Sequence, residues 1–512
     1  MTVDRDNLLE LPTGWVWAET GDICEGIVPG RTKPKNFDGT IPWITLPDVT
    51  GLYISKSKSH LAVTREDAEE VGMRVMPKGT VLMSCVGQFG IICIAEDDLV
   101  PNQQFHGFLC LDEIFPEYIA YSLMTQVDQM KQLSSATTIA YINKTKCNSI
   151  QIPLAPLKEQ RRIVAKIEAL KARSQRVKEE LEAIPALLDQ FRQSVLAAAF
   201  RGDLTADWRQ KNPDIEPVTR VVESLREKRF SQARTPAQLQ KLNEIYSSQE
   251  EEDSNLLPES WRYIALEKLC DSFQYGTSAK SLASGKVPVL RMGNIQNGEI
   301  DGSDLVYTSD EDEIEKYKLK IGDVLFNRTN SPELVGKTGI YRGEHQAIFA
   351  GYLIKINNTQ ELDSEYLNYC LNTGYAKEYC WRVKTDGVSQ SNINAQKLGK
   401  FELPFCSLEE QREVVRRINS LFLVANRLKQ NYKEAKAYLD QLDRSILAKA
   451  FRGELVPQDP NDEPASVLLE RIRAEREKLD TKKKAKGKTE KKSRKAKPEP
   501  AEPKQLSLPG FE

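Results

Sequence analysis

One segment of the sequence has residue types and spacing that suit phosphate binding. Residues 331–338 (SPELVGKT) have the outline of a P-loop, whose backbone N–H groups surround a phosphate while a lysine contacts it. Here the first glycine is replaced by Ser331, and Pro332 stiffens a loop that would have to curl. A similarly placed GQFG at residues 87–90 favours a β-turn instead. The sequence therefore predicts no nucleotide site.

No other motif supplies a catalytic set. An adenine methyltransferase needs a glycine-rich cofactor loop and an Asn/Asp-Pro-Pro-aromatic motif for the flipped base, but Asn212-Pro213-Asp214 lacks the second proline and the aromatic residue. Nuclease motifs of the Pro-Asp…Glu-x-Lys kind have no convincing instance. The chain has 3 histidines, and its 9 cysteines form no C-x-x-C pair. This composition disfavours zinc sites and a disulfide framework. We predict no catalytic residues, no metal ligands and no cofactor in this chain.

The elements that would position functional side chains occur twice, because the chain contains an internal repeat. The spacing between the copies changes early in each half and is constant from Pro153 through Leu204, so a variable part precedes a rigid part. The repeated motifs are an opening motif Leu-Pro-x-x-Trp at Leu11 and Leu257, a helix-start motif Pro-x-x-x-Leu-x-Glu-Gln-Arg at Pro153 and Pro404, and a closing motif Ala-Phe-Arg-Gly-(Asp/Glu)-Leu at Ala199 and Ala450.

Both rigid parts carry apolar residues at alternating steps of four and three, with charged residues between them. An ordinary core helix is the alternative, but strict spacing in both copies favours an antiparallel two-helix coiled coil, roughly 50 Å long at about 1.5 Å per residue. The seam residues are Ile163, Ile167, Leu170, Val177, Leu181, Ile184, Leu188, Phe191 and Val195 in the first helix, and Val414, Ile418, Leu421, Leu428, Tyr432, Leu439, Leu442 and Ile446 in the second.

Proline and glycine mark the breaks in these helices. Pro185 interrupts the first seam and its counterpart is Lys436, so we expect a kink or break in the first helix only. Gly202 and Gly453 follow Phe-Arg and are typical helix stops.

The variable parts have the pattern of α+β globular domains. Short β-type runs at 80–83 and 323–326 are followed by helical stretches at 116–132 and 364–380. We call residues 1–150 the first head and residues 256–402 the second head. The other predicted segments are a first spacer helix (151–204), a linker with a helix (205–255), a second spacer helix (403–456), a helix (457–477) and a disordered basic tail (478–512).

Composition and charge indicate a soluble protein of several domains. The 512 residues are 40% hydrophobic, enough for substantial cores. The net charge of −2 hides an asymmetry, because residues 478–497 hold eleven Lys/Arg and two acids. No run approaches the roughly 18 to 20 apolar residues of a membrane helix, and acids stand where a signal peptide would need a basic segment. We expect a cytoplasmic protein with no membrane partner.

The opening, helix-start and closing motifs, each present twice in one order, resemble those of the specificity subunit of type I restriction-modification systems. The resemblance covers about residues 10–475. It implies that each head is a target recognition domain for one half of a split DNA sequence, and that the paired helices are a spacer bound by two methyltransferase subunits. It also implies that this chain performs no chemistry. Its partners would methylate adenine with S-adenosylmethionine and, with two restriction (translocase/nuclease) subunits, cut unmodified DNA using ATP and Mg²⁺.

Two heads on a rigid spacer suit half-sites about one helical turn, roughly 34 to 36 Å, apart. Arg, Lys, Asn and Gln match base edges through paired donors and acceptors. Each such residue also has the alternative of being a solvated loop side chain. The candidates in the first head are Arg31, Lys33, Lys35, Thr45, Gln88, Asn102, Gln103, Gln104, Asn143 and Lys144; in the second head they are Arg291, Asn294, Asn327, Arg328, Lys337, Arg382, Gln390, Asn392 and Asn394.

Neither head is basic. The first holds 12 Lys/Arg against 19 Asp/Glu, and the second 17 against 20. Phosphate contacts dominate DNA affinity. We therefore expect weak binding by this chain alone and tight binding once methyltransferase subunits are present.

The tail carries two further features. Its lysines either contact phosphates or keep the tail solvated. Its last residues, QLSLPGF from Gln505, resemble the peptide by which bacterial proteins dock on the replication sliding clamp, with Gln505 at a pocket rim and Leu508 and Phe511 in apolar hollows. An inert terminus is the alternative.

Two other functions stay open at this point. A scaffold from another modification or defence system would share the architecture. A self-contained nuclease or methyltransferase is disfavoured by the missing motifs.

Overall fold

The computed structural model describes residues 10–111, 113–135, 139–247, 257–343 and 345–478. The chain forms two compact units. Unit 1 combines residues 1–180 with 435–512 and contains the first head, and unit 2 covers residues 181–434 and contains the second head. The basic tail beyond residue 478, with Gln505, Leu508 and Phe511, lies outside the described residues.

The first head alternates short strands with short helices. Its elements are β1 (Val16–Glu19), α1 (Thr20–Ile23), β2 (Cys24–Ile27), β3 (Ile41–Ile44), β4 (Tyr53–Ile54), β5 (Ala62–Val63), α2 (Arg65–Glu70), β6 (Val81–Ser84), β7 (Ile92–Ala95), β8 (Val100–Pro101), β9 (Phe105–Cys110), α3 (Pro116–Met124), α4 (Val127–Leu133), α5 (Lys144–Asn148) and β10 (Gln151–Leu154). The sheets have the orders β2-β9-β6-β7-β4, β5-β3-β8 and β1-β10.

Helices α6 (Leu157–Glu182) and α7 (Ile184–Phe200) follow the first head. The predicted linker is largely helical, with α8 (Ala206–Lys211), α9 (Val218–Gln232) and α10 (Pro236–Ser247). Val218 and Leu225 of α9 are buried in the core of unit 2, and Arg229 Nη1 donates to the backbone oxygen of Glu267 at 2.9 Å. Helix α9 is therefore a packed part of unit 2 rather than a tether.

The second head repeats the alternation of the first. Its elements are β11 (Arg262–Ala265), β12 (Cys270–Tyr275), β13 (Val287–Leu290), β14 (Ile295–Gln296), β15 (Glu299–Ile300), β16 (Val306–Thr308), α11 (Glu311–Tyr317), β17 (Val324–Asn327), β18 (Thr329–Asn330), β19 (Thr338–Ile340), β20 (Ile348–Phe349), β21 (Leu353–Asn358), α12 (Ser364–Leu371), α13 (Gly374–Val383), β22 (Thr385–Asp386), β23 (Ser391–Asn392), α14 (Ala395–Gly399) and β24 (Glu402–Phe405).

The sheets of the second head have the orders β12-β21-β17-β19-β15-β14, β16-β13-β20, β18-β23-β22 and β11-β24. Four antiparallel strands correspond between the heads: β2-β9-β6-β7 in the first and β12-β21-β17-β19 in the second. The predicted strands at 80–83 and 323–326 are β6 and β17, and all their residues are buried. The α+β fold class predicted for the heads is confirmed.

Helix α15 (Leu408–Ala450) follows the second head without interruption. In the first copy, α6 ends at Glu182 and α7 begins at Ile184, with Pro185 in the first turn of α7. Proline has no N–H to donate and its ring excludes the preceding helical carbonyl. The break expected in the first helix only is confirmed.

The paired helices run antiparallel within each unit. In unit 1, Lys178 Nζ lies 2.8 Å from both Asp440 Oδ1 and Asp443 Oδ2. In unit 2, Arg192 Nη2 donates to Asn426 Oδ1 at 2.5 Å, and farther along the first copy Asp207 accepts from Arg417 Nη1 at 2.5 Å. As one residue number rises the other falls, which defines the antiparallel pairing.

The predicted seam residues differ in burial along the helices. Those next to the heads and near the helix ends are buried, namely Ile163, Ile167, Val195, Val414, Ile418 and Ile446. Four in the middle, Val177, Phe191, Leu428 and Leu442, are between 38% and 50% exposed. The others, Leu170, Leu181, Ile184, Leu188, Leu421, Tyr432 and Leu439, are intermediate. The middle of the helices thus keeps apolar surface open.

The opening and helix-start motifs meet at a buried tryptophan–glutamate pair. Trp15 Nε1 donates to Glu159 Oε2 at 3.0 Å in unit 1, and Trp261 Nε1 donates to Glu410 Oε2 at 2.9 Å in unit 2. The repeated Trp and Glu therefore hold the start of each long helix against the head that precedes it.

The closing motifs pack in the unit of the other copy. The Phe451 ring lies 5.2 Å from Tyr118 in unit 1, and the Phe200 ring lies 5.0 Å from Tyr366 in unit 2. Helix α15 therefore starts in the unit of one head and ends in the unit of the other, as the α6–α7 pair does.

Both predicted helix stops are confirmed. Gly202 (φ +80°) and Gly453 (φ +74°) adopt the left-handed conformation that glycine tolerates best. A Cβ on Gly202 would approach Pro258 Cγ to 2.5 Å, and one on Gly453 would approach Pro12 Cγ to 2.3 Å. The closing glycine thus packs directly on the proline of an opening motif.

Two predicted boundaries shift. The spacer segments at 151–204 and 403–456 begin with strands β10 and β24, which pair with β1 and β11, so each strand belongs to its head. The helix predicted for residues 457–477 begins at residue 465, because Pro457, Pro460 and Pro464 disfavour a helix before that point.

The segment at residues 331–338 is a turn between β18 and β19, and no helix follows it to complete a P-loop. The interpretation as a β-turn is confirmed. Within the described part of the chain, no helix is long and apolar enough to cross a membrane.

Candidate nucleic-acid interface

Four loops of the first head are joined by backbone hydrogen bonds near the start of β9. Asn102 N donates to Ile44 O at 2.9 Å, Cys85 N donates to Gln104 O at 2.8 Å, and Ile142 N donates to Cys85 O at 3.0 Å. These bonds bring the loops around residues 45, 86, 103 and 141 into one cluster. We call this the first loop cluster.

The second head has the same arrangement at the equivalent positions. Ala350 N donates to Leu290 O at 2.9 Å, Arg328 N donates to Tyr352 O at 3.0 Å, and Ile393 N donates to Arg328 O at 2.9 Å. We call this the second loop cluster. The two clusters share one backbone scaffold although their loops differ in length.

The side chains on this scaffold differ between the heads. Where the first cluster has Thr45, Cys85 and Gln104, the second has Arg291, Arg328 and Tyr352, respectively. One framework therefore presents two different sets of hydrogen-bonding and aromatic groups, which suits the recognition of two different sequences.

Arg328 is the centre of the second loop cluster. Its Nη2 donates to Asn392 Oδ1 at 3.1 Å, its Nη1 to Gly351 O at 3.4 Å, and its guanidinium carbon lies 4.9 Å from the Tyr275 ring centroid. Asn392 in turn donates to Thr329 Oγ1 at 2.8 Å. These contacts orient a planar, permanently charged group, and such a group suits bidentate contact with guanine. Gln390 is exposed in the turn just before Asn392.

The first loop cluster is built around amides. Asn102 Nδ2 donates to Gln104 Oε1 at 2.9 Å, and Asn102 Oδ1 accepts from Gln104 N at 3.0 Å. Gln103 between them is exposed, as is Gln88 in the neighbouring loop. Asn and Gln pair well with adenine edges, so Gln103 and Gln88 are the freer candidates here.

Burial contradicts two of the predicted base-contacting residues, Asn294 and Asn327, whereas Asn143 and Asn394 are exposed and stay predictions. Asn294 and Asn327 are buried, with 3% and 0% of their surfaces exposed, so they cannot reach a base edge. Asn143 and Asn394 are helix N-caps that accept from Lys146 N and Lys397 N at 3.0 and 2.8 Å. Asparagine is a preferred N-cap because its side chain satisfies an otherwise free N–H of the first turn.

Thr45 and Arg291 are engaged beside their loop clusters. Thr45 N and Oγ1 donate to Asp48 Oδ2 at 2.7 and 2.6 Å. Although burial raises it, these bonds and those from Lys58 and Ser57 hold the pKa of Asp48 below its usual value. Arg291 forms an exposed ion pair with Asp304 at 2.9 Å, which DNA phosphate could replace.

The remaining candidates lie on other parts of the heads. Arg31, Lys33 and Lys35 are exposed between β2 and β3, and Lys144 is exposed at the start of α5. Lys337 Nζ donates to Gln296 Oε1 at 3.1 Å, and Arg382 lies 5.7 Å from the Tyr379 ring. These six residues stay predictions of DNA contact.

The aromatic residues of the second loop cluster were not predicted from the sequence. Tyr275 and Tyr352 are 40% and 47% exposed although they flank Arg328. Polar residue type alone could not reveal them, since an isolated tyrosine in a strand pattern predicts core packing. Within the described residues, no group of three or more His, Cys, Asp or Glu side chains could hold a metal ion.

Two α+β heads with matched loop clusters, joined by paired helices, define a two-headed nucleic-acid-recognition protein. The family model described as the type I restriction modification DNA specificity domain matches residues 12–186 and 258–436. The chain belongs to this family. The first match covers the first head, all of α6 and the start of α7, and the second covers the second head and α15 as far as residue 436.

Specificity subunits of type I restriction enzymes are similar along nearly the whole chain. The EcoKI subunit of Escherichia coli K12 is 26% identical over 493 residues, which cover 91% of this chain and 96% of that subunit. The StySPI subunit of Salmonella potsdam is 25% identical over 494 residues, with the same coverage of 91% and 96%. These similarities support the prediction of a DNA sequence-specificity subunit, and they do not support the scaffold and enzyme alternatives.

Solved structures show the same fold. A chain from a structure of type I R-M complex assembly and conformational transition has a TM-score of 0.62 and 20% identity, covering 87% of this chain and 100% of that chain. The HsdS subunit from Thermoanaerobacter tengcongensis has a TM-score of 0.53 and 20% identity, covering 88% and 99%.

Proposed function

We propose that this chain selects a bipartite DNA site, with the first loop cluster recognising one half-site and the second loop cluster the other. The observation that carries the proposal is the pair of matched backbone scaffolds bearing different side chains. In this proposal the chain itself performs no chemistry. Modification and cleavage belong to methyltransferase and restriction subunits that assemble on it where chromosomal DNA is found, in the cytoplasm.

The acidic charge of the heads supports separate roles in DNA binding for the chain and for its partners. Because each head has more acids than bases, it attracts the phosphate backbone poorly. Oriented groups such as Arg328 and Gln103 can still discriminate bases once other subunits hold the duplex. We expect the chain alone to bind its site weakly at physiological salt; tight, sequence-specific binding by the isolated chain would contradict this part of the proposal.

The open apolar surface on the long helices supports the docking of the methyltransferase subunits. On unit 2, Leu187, Leu423, Val424 and Leu428 are each at least half exposed. Contiguous exposed apolar side chains mark protein contacts. Replacing Leu423 and Leu428 by serine should release the methyltransferase in a pull-down while the chain stays folded by circular dichroism.

Assignment of the long helices as a spacer makes a separate prediction. Inserting one heptad into α6 and a matching heptad into α15 should lengthen the non-specific spacer of the recognised site and leave both half-sites unchanged. An altered half-site with an unaltered spacer would contradict the assignment.

The decisive experiment exchanges one head. The chain is co-expressed with its methyltransferase and modified adenines are mapped, first as wild type and then with residues 256–402 replaced by those of a related subunit. We expect one half of the site to change. If both halves changed, or neither did, the two-head proposal would be wrong.

We also propose a second partner, which would bind the end of the tail. The QLSLPGF sequence suits docking on the replication sliding clamp. A pull-down with wild-type chain and with Gln505→Ala plus Leu508→Ala tests this, and equal retention of the clamp by both proteins would remove the idea.

A further inference from the structure

A short β-hairpin projects from the second loop cluster. Strands β22 and β23 pair with Thr385 opposite Asn392 and Asp386 opposite Ser391, and Gly387 N donates to Gln390 O at 2.8 Å. The connection between them is therefore the four residues 387–390, with Val388 and Ser389 at the tip. Strand β23 also pairs with β18, which follows Arg328 directly, so the hairpin belongs to a three-stranded sheet that begins next to the arginine.

The base of the hairpin is firmly held. Asp386 accepts from Lys384 Nζ at 2.5 and 2.7 Å and from Ser391 Oγ at 2.5 Å. Lys384 is mostly covered, and its Nζ lies 4.3 Å from the Trp381 ring. Lys397 Nζ adds donors to Val383 O and Thr385 Oγ1 at 2.6 and 2.7 Å. Side-chain hydrogen bonds and an ion pair therefore fix the base from which the tip projects.

The valine at the tip is not required by the turn. Four-residue hairpin loops are most often built around a type I turn, which has negative φ at its central residues and accepts most residue types. Val388 and Ser389 keep negative φ, since the described non-glycine residues with positive φ are His60, Glu113 and Asn297. Val388 is also fully exposed, at 109% of its reference surface. Neither local folding nor core packing explains a valine here.

The chemical groups at and around the tip are complementary to the major groove of DNA. That groove is about 12 Å wide and admits a two-stranded β-ribbon, and its thymine methyl group is an apolar feature among hydrogen-bonding edges. On this hairpin an apolar tip stands beside Gln390, with Asn392 and Arg328 at its base. An apolar group flanked by amide and guanidinium groups is complementary to thymine beside other bases.

We propose that the β22–β23 hairpin enters the major groove of the half-site recognised by the second head, and that Val388 contacts the methyl group of a thymine there. This inference rests on the proposed function, since it assigns a specificity-determining residue to that same recognition surface. It adds that one position of this half-site is an A·T pair recognised through the methyl group.

The test uses uracil, which lacks only the thymine methyl. The full chain, assembled with its methyltransferase subunits, is titrated with duplexes in which each thymine of the second half-site is replaced in turn. For the wild type, one replacement should weaken binding about four-fold, the effect of losing one buried methyl-sized contact. With Val388→Ala, that same replacement should have no effect. If the Val388→Ala complex discriminated thymine from uracil as the wild type does, the inference would be overturned.

A second variant separates recognition from folding. Val388→Asn combined with Ser389→Gly places two common turn residues at the exposed tip, so the melting temperature should change little while thymine discrimination disappears. Retained discrimination in this variant would also overturn the inference. Ile321→Ala is the matched control, because Ile321 is 78% exposed but precedes the opposite end of β17 from Arg328.

The head exchange distinguishes failure of the proposed function from failure of the role assigned to Val388. If exchanging residues 256–402 alters neither half-site, the proposed function fails. If the exchange alters one half-site while Val388→Ala leaves discrimination intact, only the assignment of Val388 fails.

Discussion

Units 1 and 2 bury the same tryptophan–glutamate pair with different supporting groups. In unit 2, Glu410 accepts from Trp261, and its Oε1 also accepts from Arg209 Nη1 at 2.6 Å and Thr205 Oγ1 at 2.7 Å. In unit 1, Glu159 accepts from Trp15, and its Oε1 has no partner among the described residues.

The closing motif explains this difference. Thr205 and Arg209 follow the first closing motif, and the residues at the same distance after the second are Val456 and Pro460. In unit 1, Arg162 acts on Glu159 by lowering its pKa, but the Arg162 guanidinium forms its ion pair with Asp462 at 2.7 Å. Burial therefore raises the pKa of Glu159, although the Trp15 hydrogen bond and Arg162 oppose the shift.

A repeated motif can thus keep its geometry while its electrostatics diverge. Unit 2 neutralises its buried carboxylate with a guanidinium that also donates to Gly202 O at 2.7 Å, so the helix start and the closing turn are tied together. Unit 1 relies on the indole hydrogen bond and on packing. The two units should therefore respond differently to charge substitutions and similarly to steric ones.

The largest expected effect is from Arg209→Ala. Removing one partner of a buried ion pair strands the other charge and typically costs ~3–5 kcal/mol. Glu410 is fully buried and Arg209 largely so, so unit 2 should lose about this much stability while unit 1 keeps its own. Amide hydrogen exchange of residues 261–266 against residues 15–20 measures the two units separately.

A second substitution checks the cause. Glu410→Gln in the Arg209→Ala background should recover part of the loss, because the stranded charge is removed. If Arg209→Ala destabilised both units equally, or if Glu410→Gln gave no recovery, the charge explanation would be incorrect.

Arg328→Ala tests the contrast between the two loop clusters. A bidentate arginine contact contributes about 1–3 kcal/mol of discrimination against a wrong base. We expect the assembled complex to lose specificity at one position of one half-site, with the other half-site unchanged in methylation mapping. Gln103→Ala is the reciprocal substitution, and it should relax the other half-site. Both substitutions acting on the same half would contradict the assignment of one cluster to each half-site.

Much of the architecture could be predicted from the sequence because the repeat is visible in short motifs. The break at Pro185 and the stops at Gly202 and Gly453 follow from backbone chemistry that holds in any context. The role of Arg209 could not be predicted, because its partner Glu410 is distant in sequence and the motif in the other copy does without it.

The candidate site was harder to predict than the fold. Asn143 and Asn394 have the residue type that contacts adenine, yet the same amide geometry makes asparagine a helix cap. Asn294 and Asn327 are polar but buried, and burial depends on loops whose course the spacing does not give. Val388 has no polar signal, and only its exposure in the folded hairpin identifies it.

Gly202→Ala and Gly453→Ala test the similarity of the units. Each would place a Cβ within 2.5 Å of a proline carbon at positive φ, and a non-glycine residue held in this region costs about 1–3 kcal/mol. We expect losses of similar size, Gly202→Ala in unit 2 and Gly453→Ala in unit 1, by the same exchange measurement. A large loss in one unit and none in the other would show that the closing turns are not equivalent.

The smallest expected effect is that of replacing the buried glutamate by glutamine, and this change in stability should have opposite signs in the two units. The folded state of unit 1 holds the Glu159 proton more tightly than the unfolded chain does, so its stability falls as pH rises above the ordinary glutamate value of 4.5 through the raised one. Glu159→Gln removes this dependence and should leave unit 1 as stable or slightly more stable at neutral pH. Glu410→Gln instead removes a carboxylate paired with Arg209 and should destabilise unit 2.

Comparing Glu159→Gln with Glu410→Gln separates the effect of each buried carboxylate from the effects of all other acids in the chain. Exchange rates in unit 1 should converge between wild type and Glu159→Gln as pH falls below the ordinary glutamate value of 4.5, because the wild-type carboxyl then becomes neutral in both the folded and the unfolded chain. Different exchange rates of the two proteins at low pH, or a loss of stability in unit 1 at neutral pH, would mean that Arg162 stabilises the Glu159 anion. The two units would then stabilise their buried carboxylates in the same way.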